Sequence, residues 1–167
     1  MGYTHYWSFE PNKVKDTEQL RKKFKRASKQ IKSFANWLPN KGIKICGGLG
    51  EGKPIFNETE IWFNGDGSEK LDHETFNLHW SRPTTHGKFN DFCKTARKPY
   101  DLLVCFALLT FAEIFPEAFE FSSDGTIKDW KQGVEYYELY TGNTAKIPQS
   151  WKEQENNYIL TPLKYAV

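Results

Sequence analysis

The chain has 167 residues, with 23 lysines and arginines against 21 aspartates and glutamates and a net charge of +2. That length suits one domain with a real core, and the charge balance excludes the strongly basic character of a bulk nucleic-acid-binding domain. Aromatic residues make up 16% of the chain, so Phe, Trp and Tyr are expected to build much of that core.

The three cysteines, Cys46, Cys93 and Cys105, are odd in number and lack metal-ligand spacing, so neither a disulfide framework nor a zinc motif is expected. A reducing, intracellular compartment is expected. Residues Met1–Trp7 lack the apolar segment of a secretory signal, and Tyr6 stands where a myristoylation pattern needs Ser or Thr. The run Leu102–Phe115 is roughly 14 residues and contains Glu113, short of the ~20 that a membrane helix requires.

The elements follow in chain order. Tyr3–Phe9 alternates aromatic residues with polar ones and predicts a strand. Asp16, with Gln19 three residues on, predicts a capped helix from Thr17 to Leu38. Leu20, Phe24, Ala27, Ile31, Phe34 and Leu38 recur on one face of it, and Arg21, Lys22, Lys25, Arg26, Lys29 and Lys32 form a solvated face. Pro39, Asn40 and Gly42 stop it. Ile43–Cys46 predicts a short strand, followed by the loop Gly47–Lys53. That loop lacks the Gly-Lys-Ser/Thr ending of a P-loop and the spacing of a dinucleotide fold, so it reads as a hairpin connection or a mobile lid. Glu60–Asn64 and His73–Trp80 predict two strands of an antiparallel meander, separated by the Asn64–Gly67 turn signal. Arg82–Phe89 is a polar loop, and Pro99–Phe115 is a helix apolar on every side. Phe119–Ser122 is a strand, and Thr126 caps a third helix with Ile127, Trp130, Val134 and Tyr137 on one face. Residues 141–167 read as a surface-packed tail of a single domain spanning 1–167. The order predicts an α+β domain with about three helices packed on a mainly antiparallel sheet.

The chemistry concentrates in Phe92–Asp101. Lys94, Thr95, Arg97 and Lys98 precede a rigid, buried helix, whose free N–H groups and positive dipole end favour an anion. Tyr100 is placed to stack on a ligand or hydrogen-bond to it, and Asp101 to cap the helix or accept from ligand hydroxyls. The structural alternative is a solvated loop whose Asp101 complements the dipole. His73-Glu74-Thr75 and His79-Trp80-Ser81 have the His-x-Ser/Thr form of two-histidine phosphoesterases. Six residues apart on one strand, however, the histidines would be separated by roughly 20 Å, too far to share a phosphate. Cys93 beside Lys94 offers a cysteine–histidine alternative with His5 or His73. Ser122–Gly125 places hydroxyls and a carboxylate just after a strand, where a plain Asp-Gly turn explains them equally.

Taken in order, Met1–Trp7, Phe63-Asn64-Gly65, His73–Phe76, Phe92–Asp101 and Ser122–Gly125 resemble a family of small uncharacterised proteins carried by bacteriophages and prophages. The resemblance covers about Met1–Tyr140. It implies a phage accessory protein made in the bacterial cytoplasm, with these segments forming one site. The expected function is non-enzymatic: binding of a small anionic, nucleotide-like ligand, sequestering a host defence signal as a sponge. The expected site gathers His5, Trp7, His73, Thr75, Lys94, Thr95, Lys98, Tyr100, Asp101, Ser123 and Asp124, with Tyr3 as a substitute for Trp7. Cations neutralise phosphates and aromatics stack on a base. No metal, cofactor, membrane or nucleic-acid partner is implied, and a homo-oligomer with the site across its interface is compatible. The alternatives are a nucleotide hydrolase or phosphodiesterase using His5 or His73, and a protein inhibitor that docks on a host factor.

Overall fold

The computed structural model describes residues 2–80 and 87–151. The chain runs β1 (Thr4–Phe9), α1 (Thr17–Trp37), β2 (Ile55–Phe56), β3 (Glu60–Phe63), β4 (Phe76–His79), β5 (Phe89–Lys94), α2 (Asp101–Ile114), β6 (Phe119–Ser123) and α3 (Ile127–Thr141). The α+β class holds, with the strands divided between two antiparallel sheets ordered β5-β1-β6 and β2-β3-β4. Among the described residues, no helix is long and apolar enough to cross a membrane.

α2 is the axis of the core. Every residue in it except Asp101 and Glu113 is buried, as its apolar sequence requires. α1 and α3 pack on it from two sides. α1 contributes its apolar stripe, and Phe34 stacks on Phe106 with ring centroids 4.1 Å apart. The Asp16 cap is as expected, its Oδ1 accepting from the Glu18 amide at 2.9 Å. α3 approaches so closely that a Cβ on Gly133 would meet the Cβ of Cys105 at 2.8 Å, so only glycine fits there.

β1 is the centre of the first sheet. His5, Trp7 and Phe9 point inward, and Tyr6 points to solvent. Phe9 meets Phe111 and Phe115 of the α2 region, and Trp7 meets Phe76 of the second sheet at 4.9 Å. The register sets His5 opposite Cys93 on β5 and opposite Ser123 on β6.

Three segments differ from the sequence expectation. Only Cys46 of the expected strand Ile43–Cys46 pairs, through an isolated bridge to Asn64, because a turn at Gly47–Gly50 reverses the chain at once. The expected strand His73–Trp80 is confined to β4: His73 and Glu74 bond to Asn64 and to the end of β5 instead. The stretch ahead of Asp101 is not one helix lead-in, since Phe89–Lys94 forms β5. Only Cys93 of this edge strand is fully buried, so its sequence carries little alternation, and pairing with β1 defines it. The expected loop Arg82–Phe89 and tail 141–167 lie partly outside the described residues. Within 141–151, Trp151 is buried against Phe121 and Trp130.

Candidate functional site

His5 is fully buried in the middle of the first sheet and has polar partners on both ring nitrogens. Its Nε2 lies 2.6 Å from Asp101 Oδ1, at the first residue of α2. Its Nδ1 lies 2.9 Å from Ser123 Oγ, at the end of β6. Thr95, buried in the turn after β5, donates to the same Asp101 oxygen at 2.5 Å. The Gly125 amide donates to Ser123 Oγ at 3.0 Å. A neutral His5 protonated on Nε2 satisfies this chain: Nε2–H donates to the Asp101 carboxylate, and Nδ1 accepts from the Ser123 hydroxyl. On the far side of Asp101, the Cys105 thiol faces Oδ2 at 3.7 Å.

The network is walled by rings. Tyr3 and Trp130 meet the His5 imidazole edge-on at 4.8 and 5.0 Å. The Arg97 guanidinium lies 4.1 Å over the Tyr3 ring, and its Nη1 donates to Asp129 Oδ1 at 2.8 Å. Burial pushes the Tyr3 hydroxyl well above the ordinary tyrosine range, reinforced by the nearby Asp101 carboxylate. Burial, followed by Asp101, likewise holds the Cys105 thiol protonated. Asp129 is held below the usual carboxylate range by the Thr126 amide that it caps, and further by Arg97.

Arg97 is aimed by an unusual turn. Ala96 and Arg97 both occupy the left-handed region, with φ of 49° and 58°, and the Lys98 amide closes the turn on the Thr95 carbonyl at 3.0 Å. Two consecutive non-glycine residues there cost conformational energy, a pattern that gathers at functional sites. The turn opens on a cavity of about 350 Å³ whose walls include Tyr3, Arg97, Lys98, Asp101, Cys105 and Asp129.

The expected site residues divide into groups. The network holds His5, Thr95, Asp101 and Ser123 together. Asp124 lies beside them, its Oδ2 accepting from the Thr4 amide at 3.2 Å. Lys98 lines the cavity and donates through Nζ to the Lys70 carbonyl at 2.7 Å. A second group gathers around Glu74 and the end of β5. His73 Nδ1 bonds the Lys94 carbonyl at 2.7 Å, the Lys94 amide donates to Glu74 Oε2 at 2.7 Å, and the buried Tyr100 hydroxyl donates to the Glu74 carbonyl at 2.6 Å. Thr75 donates to the Gly48 carbonyl. The His73 and Glu74 contacts clasp the segment leading into β4 to the end of β5, Thr75 ties it to the glycine-rich turn, and Tyr100 is fully buried with no face open for stacking. Trp7 belongs to the aromatic core.

The start of α2 is also arranged differently from the expectation. The amides of Asp101, Leu102 and Leu103 bond to the carbonyls of Lys98, Pro99 and Tyr100. The anion in the first turn is the chain's own Asp101. Cys93 is buried with its thiol on the Glu74 carbonyl at 3.3 Å, and burial pushes that thiol upward, away from the thiolate a nucleophile needs. Arg97, Cys105 and Asp129 emerge as wall residues that the expected set omitted. Cys105 carried one readable signal, its i+4 spacing from Asp101 on a helix.

A larger cavity of about 430 Å³ lies on the outer face of the first sheet, lined by Tyr6, Asn90, Asp91, Phe92, Glu120 and neighbours. Among the described residues its lining has two carboxylates and no cation, which disfavours an anion. No protein-family model matches this chain, and comparison with curated proteins and with solved structures finds no match.

Proposed function

We propose that the protein binds a small anionic, nucleotide-like ligand in the cavity at the start of α2, and that in a phage setting it acts by sequestering a host defence signal. The observation that carries this reading is the strained Thr95–Lys98 turn, which sets two adjacent cations, Arg97 and Lys98, at a cavity that also offers Asp101 and Asp129. A guanidinium held over an aromatic ring and bonded to Asp129 through one nitrogen retains further donors for phosphate oxygens. Asp101 and Asp129 are acceptors for ribose hydroxyls or base amines. The cavity thus offers such a ligand both cations and carboxylates.

Calorimetry against cyclic oligonucleotides and ADP-ribose derivatives tests the reading. At least one ligand is expected to bind, and Arg97→Ala is expected to weaken it at least about tenfold, the effect of losing a charge-assisted contact. Absence of binding by every member of the panel overturns it.

The Ser123–His5–Asp101 chain favours a second reading, a hydrolase in which His5 activates the Ser123 hydroxyl. Against it, His5 is fully buried and Ser123 does not line the cavity. Recovery of intact ligand from heat-denatured complex separates the two.

A further inference from the structure

We propose that His5, Asp101 and Cys105 form a three-ligand zinc site whose fourth coordination position opens on the cavity at the start of α2. Among the described residues, these three are the one group whose imidazole, carboxylate and thiol donor atoms all come within 4.8 Å of one another. Imidazole nitrogen, carboxylate oxygen and thiolate sulfur together are a zinc donor set, and three protein ligands with one open position are the arrangement that leaves room for an exogenous group. Asp101 and Cys105 are one helical turn apart on a buried helix, so their spacing is held by backbone. They line the cavity, and His5 stands behind them on β1.

The groups around the ligands suit the metal. Ser123 holds His5 Nδ1 and is itself held by the Gly125 amide, which turns Nε2 toward Asp101 and Cys105. Thr95 orients the carboxylate. The Tyr3 hydroxyl, on a residue only 3% exposed whose ring meets His5 at 4.8 Å, has no hydrogen-bond partner among the described residues. That orphan gains a role when the metal loads. His5 moves its proton from Nε2 to Nδ1 and donates it to Ser123 Oγ, and the Ser123 hydroxyl proton turns to the Tyr3 oxygen. Nε2 then carries a free lone pair for zinc, and the thiol proton of Cys105 leaves to solvent. The divalent ion meets one carboxylate and one thiolate, so the buried assembly is neutral. Tetrahedral zinc with bonds of about 2.0–2.1 Å sets its nitrogen and oxygen ligands roughly 3.3 Å apart. The His5–Asp101 pair, 2.6 Å apart, therefore opens slightly on loading.

The proposal shares its cavity with the ligand-binding reading but needs no nucleotide, so the test uses metal alone. The full-length protein is stripped with chelator, incubated with zinc or cobalt at neutral pH, and desalted. Metal content by mass spectrometry and the cobalt absorption spectrum are the readouts. One equivalent of zinc is expected, with a thiolate-to-cobalt charge-transfer band and tetrahedral d–d bands in the cobalt form. Cys105→Ser is expected to abolish the charge-transfer band and to weaken zinc at least tenfold, and Cys46→Ser and Cys93→Ser to leave both unchanged. Failure of the wild type to retain metal overturns the proposal. So does one equivalent that Cys105→Ser binds with unchanged affinity and spectrum. A wild-type protein that binds zinc but no nucleotide refutes the ligand reading alone.

Discussion

His5 ties three chain segments to one side chain. Its ring nitrogens reach Asp101 at the start of α2 and Ser123 at the end of β6, and Thr95 shares the Asp101 oxygen. Such a chain is worth most when every member is satisfied, because a buried polar group left without a partner loses the full cost of its desolvation. Asp101→Ala strips the partner from both His5 and Thr95 and is expected to destabilise the protein by about 3 kcal/mol in urea unfolding. Asp101→Asn keeps an acceptor oxygen for both donors and is expected to cost markedly less. Equal losses from the two substitutions would show that the network contributes little. The types of these residues stand in the sequence, but their meeting does not: His5 and Asp101 are separated by 96 positions.

At the scale of the elements, the turn between β5 and α2 is the segment where local preference and tertiary demand conflict. Ala96 is held at φ 49° although its side chain disfavours the left-handed region. Ala96→Gly relieves that strain, and glycine's larger unfolded-state entropy offsets part of the gain. A net stabilisation of about 0.5–1 kcal/mol is expected, read as a raised urea midpoint at unchanged slope. A loss of stability would mean that the turn is not strained. The helices and β1 were legible in the sequence: α1 and α3 through caps and apolar periodicity, α2 through a continuous apolar run bounded by Pro99 and Pro116, and β1 through its alternation. β5 was not, because an edge strand with one fully buried side chain has no clear alternation and is specified by its neighbour. Ile43–Cys46 shows the converse: a strand-like composition without a partner strand remains unpaired except at Cys46.

For the molecule as a whole, the aromatic core and the paired carboxylates act on different variables. The core is built from rings on all three helices and both sheets, as the 16% aromatic content implied. Asp66 and Asp129 sit outside it and are held below the usual carboxylate range, Asp66 by Ser68 and then Lys44, Asp129 by the Thr126 amide and then Arg97. A carboxylate depressed in the folded state contributes stability that is fully present above its unfolded value of about 3.9 and is lost as pH falls through the folded value. Stability is therefore expected to decline on acidification below about pH 4, with a shallower decline in Asp129→Asn. An unchanged profile in that variant would mean that Asp129 contributes nothing to the acid dependence.

Periodicity, caps and breakers suffice for the α+β class, the buried axis of α2 and the basic turn before it, because each is a property of a few consecutive residues. Which polar residues share a site is decided by strand register and helix placement. The β5-β1-β6 register sets Ser123 beside His5, and α2 brings Asp101 and Cys105 to the same ring, while the clasp at the end of β5 draws His73, Lys94 and Tyr100 away. The physical reason is range. A helix signal is complete within two turns, whereas a buried hydrogen-bond network exists only after residues some 100 positions apart have been packed against each other and dried.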